Sequence, residues 1–240
     1  MMKIKIIFDN QTQNKNFYTG WGFSALIGQK ILFDTGADGH KLIHNLEQME
    51  VDVDLLEAVV LSHEHWDHTG GLWELLQKKK FLKIYTCAGF SIEFKEKVKQ
   101  YNGVLFECLR YKPLKIQEGI FTSGEILGKY KGQSIAEQAL VLNTEKGFCV
   151  LTGCAHPGIA RMLKEIKSNL NIERFFLAAG GFHLKSMNRQ ETMEVLSQLK
   201  KIGVEKVIPL HCTGQEQKEI FLEIYQENCQ TLNVGDSIEI

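Results

Sequence analysis

Short runs of β-branched and aromatic residues open the chain, and helical periodicity enters only after them. Residues 3–8, 23–27 and 30–34 read as strands, with Gly28-Gln29 as the hairpin turn between the last two. A helix is predicted over 40–49, because Leu42, Leu46 and Met49 recur on one face. The apolar run 55–61 then reads as a buried strand that ends at a cluster of histidines. Beyond it, strand signals at 83–86, 138–143, 147–152, 174–178 and 206–210 alternate with helical ones at 91–100, 158–170, 188–201 and 214–225. Residues 232–240 look like closing β structure.

Hairpins come early and strand-helix units late, an order that two antiparallel-rich sheets, each covered by helices, would satisfy. That is an α/β (α+β) chain folded as an αββα four-layer sandwich. The pattern alone fits a mixed single-sheet fold equally well, so the assignment leans on the chemistry of the histidine cluster. With 240 residues, 44% of them hydrophobic, the chain is long enough for one sizeable core. Three prolines and no Ser/Pro-rich tract leave no evident linker, and one domain over 1–240 is expected.

Lys+Arg 28 against Asp+Glu 29 is too balanced to draw the chain onto nucleic acid or anionic lipid by long-range charge, so a small-molecule substrate is the expected partner. The N-terminal run from Met1 to Phe8 is shorter than the apolar stretch of a signal peptide, and no later run approaches a membrane span. The six cysteines form no CxxC pair and read as reduced thiols, which with the missing export signal points to a cytoplasmic protein.

After Ala58-Val59-Val60-Leu61 the chain turns into Ser62-His63-Glu64-His65-Trp66-Asp67-His68. His63 and His65, two apart, project to one side of extended or turn backbone, while Asp67 and His68 reach a second position where a helix begins near Thr69. Imidazole and carboxylate without thiolate form the donor mixture of hydrolytic metal sites. Zinc is the expected ion, with iron and manganese as alternatives, bound in one or two divalent positions. A solvated loop that merely happens to be rich in histidine is the competing reading. It is disfavoured because three of the chain's eight histidines stand here beside an aspartate.

These residues resemble the metallo-β-lactamase superfamily, whose His-x-His-x-Asp-His motif matches His63, His65, Asp67 and His68 position for position. Ile31-Leu32-Phe33-Asp34-Thr35-Gly36 is similar to the family's early strand motif, which implies that Asp34 supports the metal histidines from behind. Val150 to Ile159, containing Thr152-Gly153-Cys154-Ala155-His156, resembles the branch similar to dihydropterin-ribofuranosylaminobenzene-phosphate synthase. Gly180-Gly181-Phe182-His183-Leu184 and Leu210-His211-Cys212-Thr213-Gly214 match that branch's later motifs. The resemblance implies one metal on His63, His65 and His156 and a second on Asp67, His68 and His211. Asp67 would also accept a proton from the attacking water, and His183 would donate to substrate or act as general acid.

Two departures stand out. Cys154 occupies the place of the carboxylate that bridges the metals in fully dinuclear members, and Trp21 stands where the branch often has histidine. A thiol there could bridge, ligate softly or simply fill space; a small buried filler that does not bridge is the reading taken. His40 and His44 fall on a helix surface and receive no role. Phe17, Tyr18 and Trp21 could wall a pocket for a flat ring but fit a core equally. Residues 129–133 read as a solvated polar loop rather than a phosphate site.

The primary functional expectation is a metal-dependent hydrolase acting through activated water on a small ester- or phosphate-containing substrate. The branch resemblance implies an alternative, a C–N bond-forming transferase on a pterin and an aminobenzene-ribose phosphate. A redox role is disfavoured because no flavin or ferredoxin module accompanies the domain. A non-catalytic ligand sensor that keeps the site is the reading outside enzymology.

Overall fold

A computed structural model of the chain describes residues 2–240; Met1, the first residue of the apolar N-terminal run, lies outside them. The chain forms β1 (Lys3–Phe8), β2 (Ser24–Ile27), β3 (Ile31–Phe33), α1 (Gly39–Gln48), β4 (Ala58–Val60), α2 (Trp66–Thr69), α3 (Leu72–Lys78), β5 (Lys83–Cys87), α4 (Ile92–Gln100) and β6 (Val104–Cys108). It continues with β7 (Leu114–Gln117), β8 (Ile120–Thr122), β9 (Ile126–Tyr130), β10 (Gln133–Glu137), β11 (Leu140–Thr144), β12 (Gly147–Thr152), α5 (Ile159–Asn169), β13 (Phe175–Gly181), α6 (Arg189–Ile202), β14 (Val204–Leu210), α7 (Gln215–Tyr225) and β15 (Ser237–Glu239). Two compact units result: residues up to Cys108 together with Leu232–Ile240, and Leu109–Thr231.

The first unit holds a sheet in the order β15-β1-β2-β3-β4-β5-β6. Its hairpin side is antiparallel, but β3-β4, β4-β5 and β5-β6 pair in parallel. The expected antiparallel-rich sheet is therefore mixed. The reason lies in the connections: α1, the α2-α3 pair and α4 each carry the chain back across the sheet, and such a crossover yields a parallel neighbour. Strands β2, β3 and β4 are buried at every position, which is why their sequences, Ser24 apart, are apolar runs without alternation. On α1, Leu42 and Leu46 are buried as their spacing predicts, with Asp38 capping the helix at the Lys41 amide. Buried Asn45 on the same face donates to the carbonyls of Ile7 and Tyr18 and accepts from the Tyr18 amide, which ties the loop before β2 to the helix.

The second unit holds a sheet in the order β14-β13-β12-β11-β8-β7, plus the separate hairpin β9-β10. Strands β12, β13 and β14 are parallel, and α5 and α6 supply the crossovers between them. The core of this unit is built from Val141, Val150, Leu163, Phe175, Leu196 and Phe221 among others. A capping box between Asn188 and Glu191 fixes the start of α6. The expected solvated loop at 129–133 is instead the tip of the β9-β10 hairpin. Tyr130 pairs with Gln133, and Lys131 and Gly132 both take positive φ, as a two-residue hairpin turn requires. Strands β6 and β7, absent from the sequence reading, are largely exposed or only partly buried. Among the described residues, no helix is long and apolar enough to cross a membrane.

Candidate metal centre

Strand β4 runs into Leu61, Ser62 and His63, all fully buried. His65 stands at the N-cap of α2, and Asp67 and His68 lie in its single turn, so the helix begins three residues before Thr69. His63 Nε2 and His65 Nδ1 face each other at 3.0 Å. His68 Nε2 and an Asp67 carboxylate oxygen stand 3.5 Å apart. Two nitrogens held at about 2.0–2.1 Å by one tetrahedral zinc would be separated by about 3.3 Å, so both pairs sit close to ligand spacing. The donor set fits one or two divalent ions.

The atoms behind these donors fix which nitrogen faces the ion. Asp34, fully buried, accepts from the Ser62 amide at 2.6 Å, the Ser62 hydroxyl at 2.7 Å and His68 Nδ1 at 2.7 Å. Because the Ser62 hydroxyl gives its one proton to Asp34, its contact of 2.9 Å with His63 Nδ1 must be accepted from that nitrogen. Both histidines thereby carry Nδ1–H and keep Nε2 for coordination, the arrangement that raises ligand basicity. Asp34 achieves this reach with a φ of 57°, a left-handed conformation that aspartate enters more readily than branched residues. Asp34→Asn should keep the fold and lower metal affinity roughly ten- to a hundredfold, the range for partners behind the ligands. Unchanged affinity in a chelator competition would reduce Asp34 to a turn residue.

Burial disfavours a charged His68, but the carboxylates of Asp34 and Asp67 outweigh it and raise its pKa to about 10. In the metal-free chain a proton on Nε2 thus holds the place an ion would take. The folded value exceeds the ordinary 6.5, so this contribution to stability is complete below pH 6.5 and disappears as pH climbs toward 10. Metal-stripped protein should accordingly show a urea midpoint that falls between pH 7 and pH 10. A flat midpoint would mean that His68 is neutral there.

Glu64, inside the same motif, is not turned to the donors. Its carboxylate accepts from the amide and hydroxyl of Ser91, the N-cap of α4, and so anchors the histidine loop to that helix. Gly22 is needed on the other side: its φ is 144°, and a Cβ there would fall onto the Asp67 carbonyl oxygen.

In the second unit, β12 leads to Cys154 and His156, β13 to His183, and β14 to a 3-10 turn over His211–Thr213. Glu137, the buried last residue of β10, accepts from the amides of Cys154 at 2.9 Å, Ala155 at 2.7 Å and His156 at 2.7 Å. Ala155 has a φ of 62°, and the carboxylate holds that unusual turn in place. The rings of His156 and His183 lie 4.4 Å apart, with the Tyr130 ring at 5.1 and 6.1 Å from them. Cys154 is buried, as expected of a filler, yet its thiol is close to Cys212 and His183. Burial raises the Cys212 pKa, but hydrogen bonds with Cys154 and His183 and the charge of His211 and His183 outweigh it, leaving the thiol well below its ordinary range.

Comparison with known proteins bears on this chemistry. The family model of the metallo-beta-lactamase superfamily matches residues 22–209. The chain belongs to the metallo-beta-lactamase superfamily. Among superfamily relatives it is 28% identical to the 7,8-dihydropterin-6-methyl-4-(beta-D-ribofuranosyl)-aminobenzene-5'-phosphate synthase of Methanocaldococcus jannaschii, over 94% of this chain and 92% of that one. The crystal structure of Tm1679, a metal-dependent hydrolase of the beta-lactamase superfamily, superposes with a TM-score of 0.83 at 26% identity, covering 100% of this chain and 99% of that one. The metallo-beta-lactamase fold protein YhfI from Bacillus subtilis matches in fold with a TM-score of 0.74 at 15% identity, covering 100% of both chains. The chain has the metallo-beta-lactamase fold.

Of the residues singled out in this superfamily member's sequence, Asp34, His63, His65, Asp67 and His68 come together in the first unit. Cys154, His156 and His183 gather in the second, with His211 in the turn beside Cys212. Sequence reasoning missed Tyr130, Glu137 and Cys212 as members of these clusters, and it gave Ser62, part of the motif segment, no role of its own. Ser62 could have been found from its place directly before the motif. Glu137 carries no local signal, because the loop it organises begins 17 residues further on.

Proposed function

We propose that the chain is a cytoplasmic metal-dependent hydrolase that acts on a small ester- or phosphate-containing substrate. The observation that carries this reading is the pairing of donors, His63 with His65 and His68 with Asp67, each pair at ligand spacing with Nδ1 of the two buried histidines already engaged. His63, His65, Asp67 and His68 would hold one or two ions; zinc suits this donor set, as do iron and manganese. When bound, such an ion lowers the pKa of water toward neutrality and polarises a substrate oxygen. Asp67 is the group suited to take the proton of the attacking water. His183 follows two glycines at the end of β13 and is partly exposed, and in this reading it donates a hydrogen bond to a substrate oxygen.

One observation favours a second reading. Similarity to a synthase over 94% of the chain supports a bond-forming transferase on a pterin and an aminobenzene-ribose phosphate. Steady-state assays of metal-loaded protein on carboxyl ester, phosphodiester and phosphomonoester panels, beside a pterin condensation assay, separate the two. Turnover on a hydrolytic panel that chelator abolishes supports the hydrolase. Condensation alone supports the transferase, and activity in neither assay would leave the ligand sensor.

A further inference from the structure

Three adjacent parallel strands end together in the second unit, and each presents a metal-binding side chain at the same offset. Strand β12 ends at Thr152, β13 at Gly181 and β14 at Leu210; Cys154, His183 and Cys212 each stand two residues further on. The register aligns these ends, with Thr152 opposite Gly180 and Gly181 opposite Leu210. Parallel pairing repeats the same backbone direction at each strand, so equal offsets bring the three side chains to one place. Their donor atoms, two Sγ and one ring nitrogen, all lie within 4.8 Å of one another.

The backbone is shaped to allow this. Gly180 has a φ of 112°, and a Cβ on it would collide with the Thr152 carbonyl oxygen. A Cβ on Gly181 would meet the Gly153 carbonyl and, at 2.8 Å, Cys212 Sγ. The two glycines let the three strand ends close up around the thiols. His183, at a φ of 54°, is in a strained left-handed conformation that carries its ring to the cluster. Both cysteines are buried, whereas His183 reaches solvent.

We propose that Cys154, His183 and Cys212 form a second kind of metal site in this chain, a two-thiolate, one-imidazole site for zinc with its fourth position open on the His183 side. In a tetrahedral zinc site with Zn–S about 2.3 Å and Zn–N about 2.0–2.1 Å, the donors are about 3.6–3.8 Å apart, which small side-chain rotations reach from the arrangement present. Thiolates select soft ions, so this site discriminates among metals differently from the His/Asp pairs of the first unit. Coordination takes both sulfurs as thiolates, so any proton still held on them goes to solvent when the site fills. Coordination uses one ring nitrogen of His183 and leaves the other N–H as a donor toward substrate. The proposal is argued from Cys154, His183 and Cys212, and its test does not require turnover in any assay.

The test is a cobalt(II) titration of the full-length, chelator-stripped His63→Ala/His68→Ala variant, which lacks one imidazole of each first-unit pair. A sulfur-to-cobalt charge-transfer band that saturates near one equivalent is expected. Cys154→Ser or Cys212→Ser in that background should lower affinity at least tenfold and roughly halve the band, and His183→Ala should lower affinity while sparing most of its intensity. No band in the folded double variant, or a band that survives both serine substitutions, would overturn the proposal. Should the cysteine variants fail to fold, alkylation of the unmodified chain followed by peptide mass spectrometry gives an independent answer. Zinc should slow modification of Cys154 and Cys212 about tenfold and leave buried Cys229 unchanged, and equal protection of all three thiols would also overturn it.

Discussion

His63→Ala is expected to remove bound metal and catalytic turnover together. His63 is fully buried, its Nε2 stands 3.0 Å from His65 Nδ1, and its Nδ1 contacts the Ser62 hydroxyl. The remaining donors leave an open, weakly held ion. Metal affinity should fall by more than the roughly hundredfold that partners behind the ligands command. Metal analysis after gel filtration, paired with turnover in whichever assay the unmodified chain is active, reads both effects. His40→Ala, on the exposed side of α1, should change neither. Full metal occupancy in His63→Ala would remove this residue from the coordination sphere.

The second large effect is on stability. Glu137→Ala should destabilise the chain by about 3–5 kcal/mol, because it strands two buried amide donors and a partly buried third that now share one carboxylate. Glu137→Gln should fall in between, since a carboxamide oxygen can serve two of the amides while its NH2 group opposes the third. Urea denaturation of metal-stripped protein isolates this effect from any change in metal binding. A Glu137→Ala variant within about 1 kcal/mol of the parent would show that the turn over Cys154 to His156 holds itself. Metal affinity measured alongside would then report whether the position of His156 depends on the carboxylate.

Much of this was legible in the chain because the signals are local. The strand over Lys3–Phe8 and the strand over Gly147–Thr152 were placed to the residue, since both are bounded by polar or glycine-bearing turns and contain β-branched and aromatic residues. The helix over Gln215–Tyr225 was legible from its periodicity. The hairpin at 126–137 was not, because its residues are only partly buried and Lys131-Gly132 is a less emphatic turn than Asn-Gly. Parallel pairing in the first unit is recorded not in a strand's own sequence but in the helices that connect the strands.

What the sequence determined by itself is the family and the residue types of the candidate metal centre. Four metal donors within six residues after an apolar strand, and an Asp-Thr-Gly turn after another, are contiguous patterns whose residue types are chosen by coordination and turn geometry. What only the tertiary structure decided is how those donors are held. Asp34 meets Ser62 and His68 across 28 and 34 residues of chain, Glu137 meets the turn before His156 across 17, and Cys154 meets Cys212 across 58. Each of these is a contact between atoms that share no local pattern. They are selected by buried polar groups finding partners once the strands have paired, and that selection operates through space rather than along the chain.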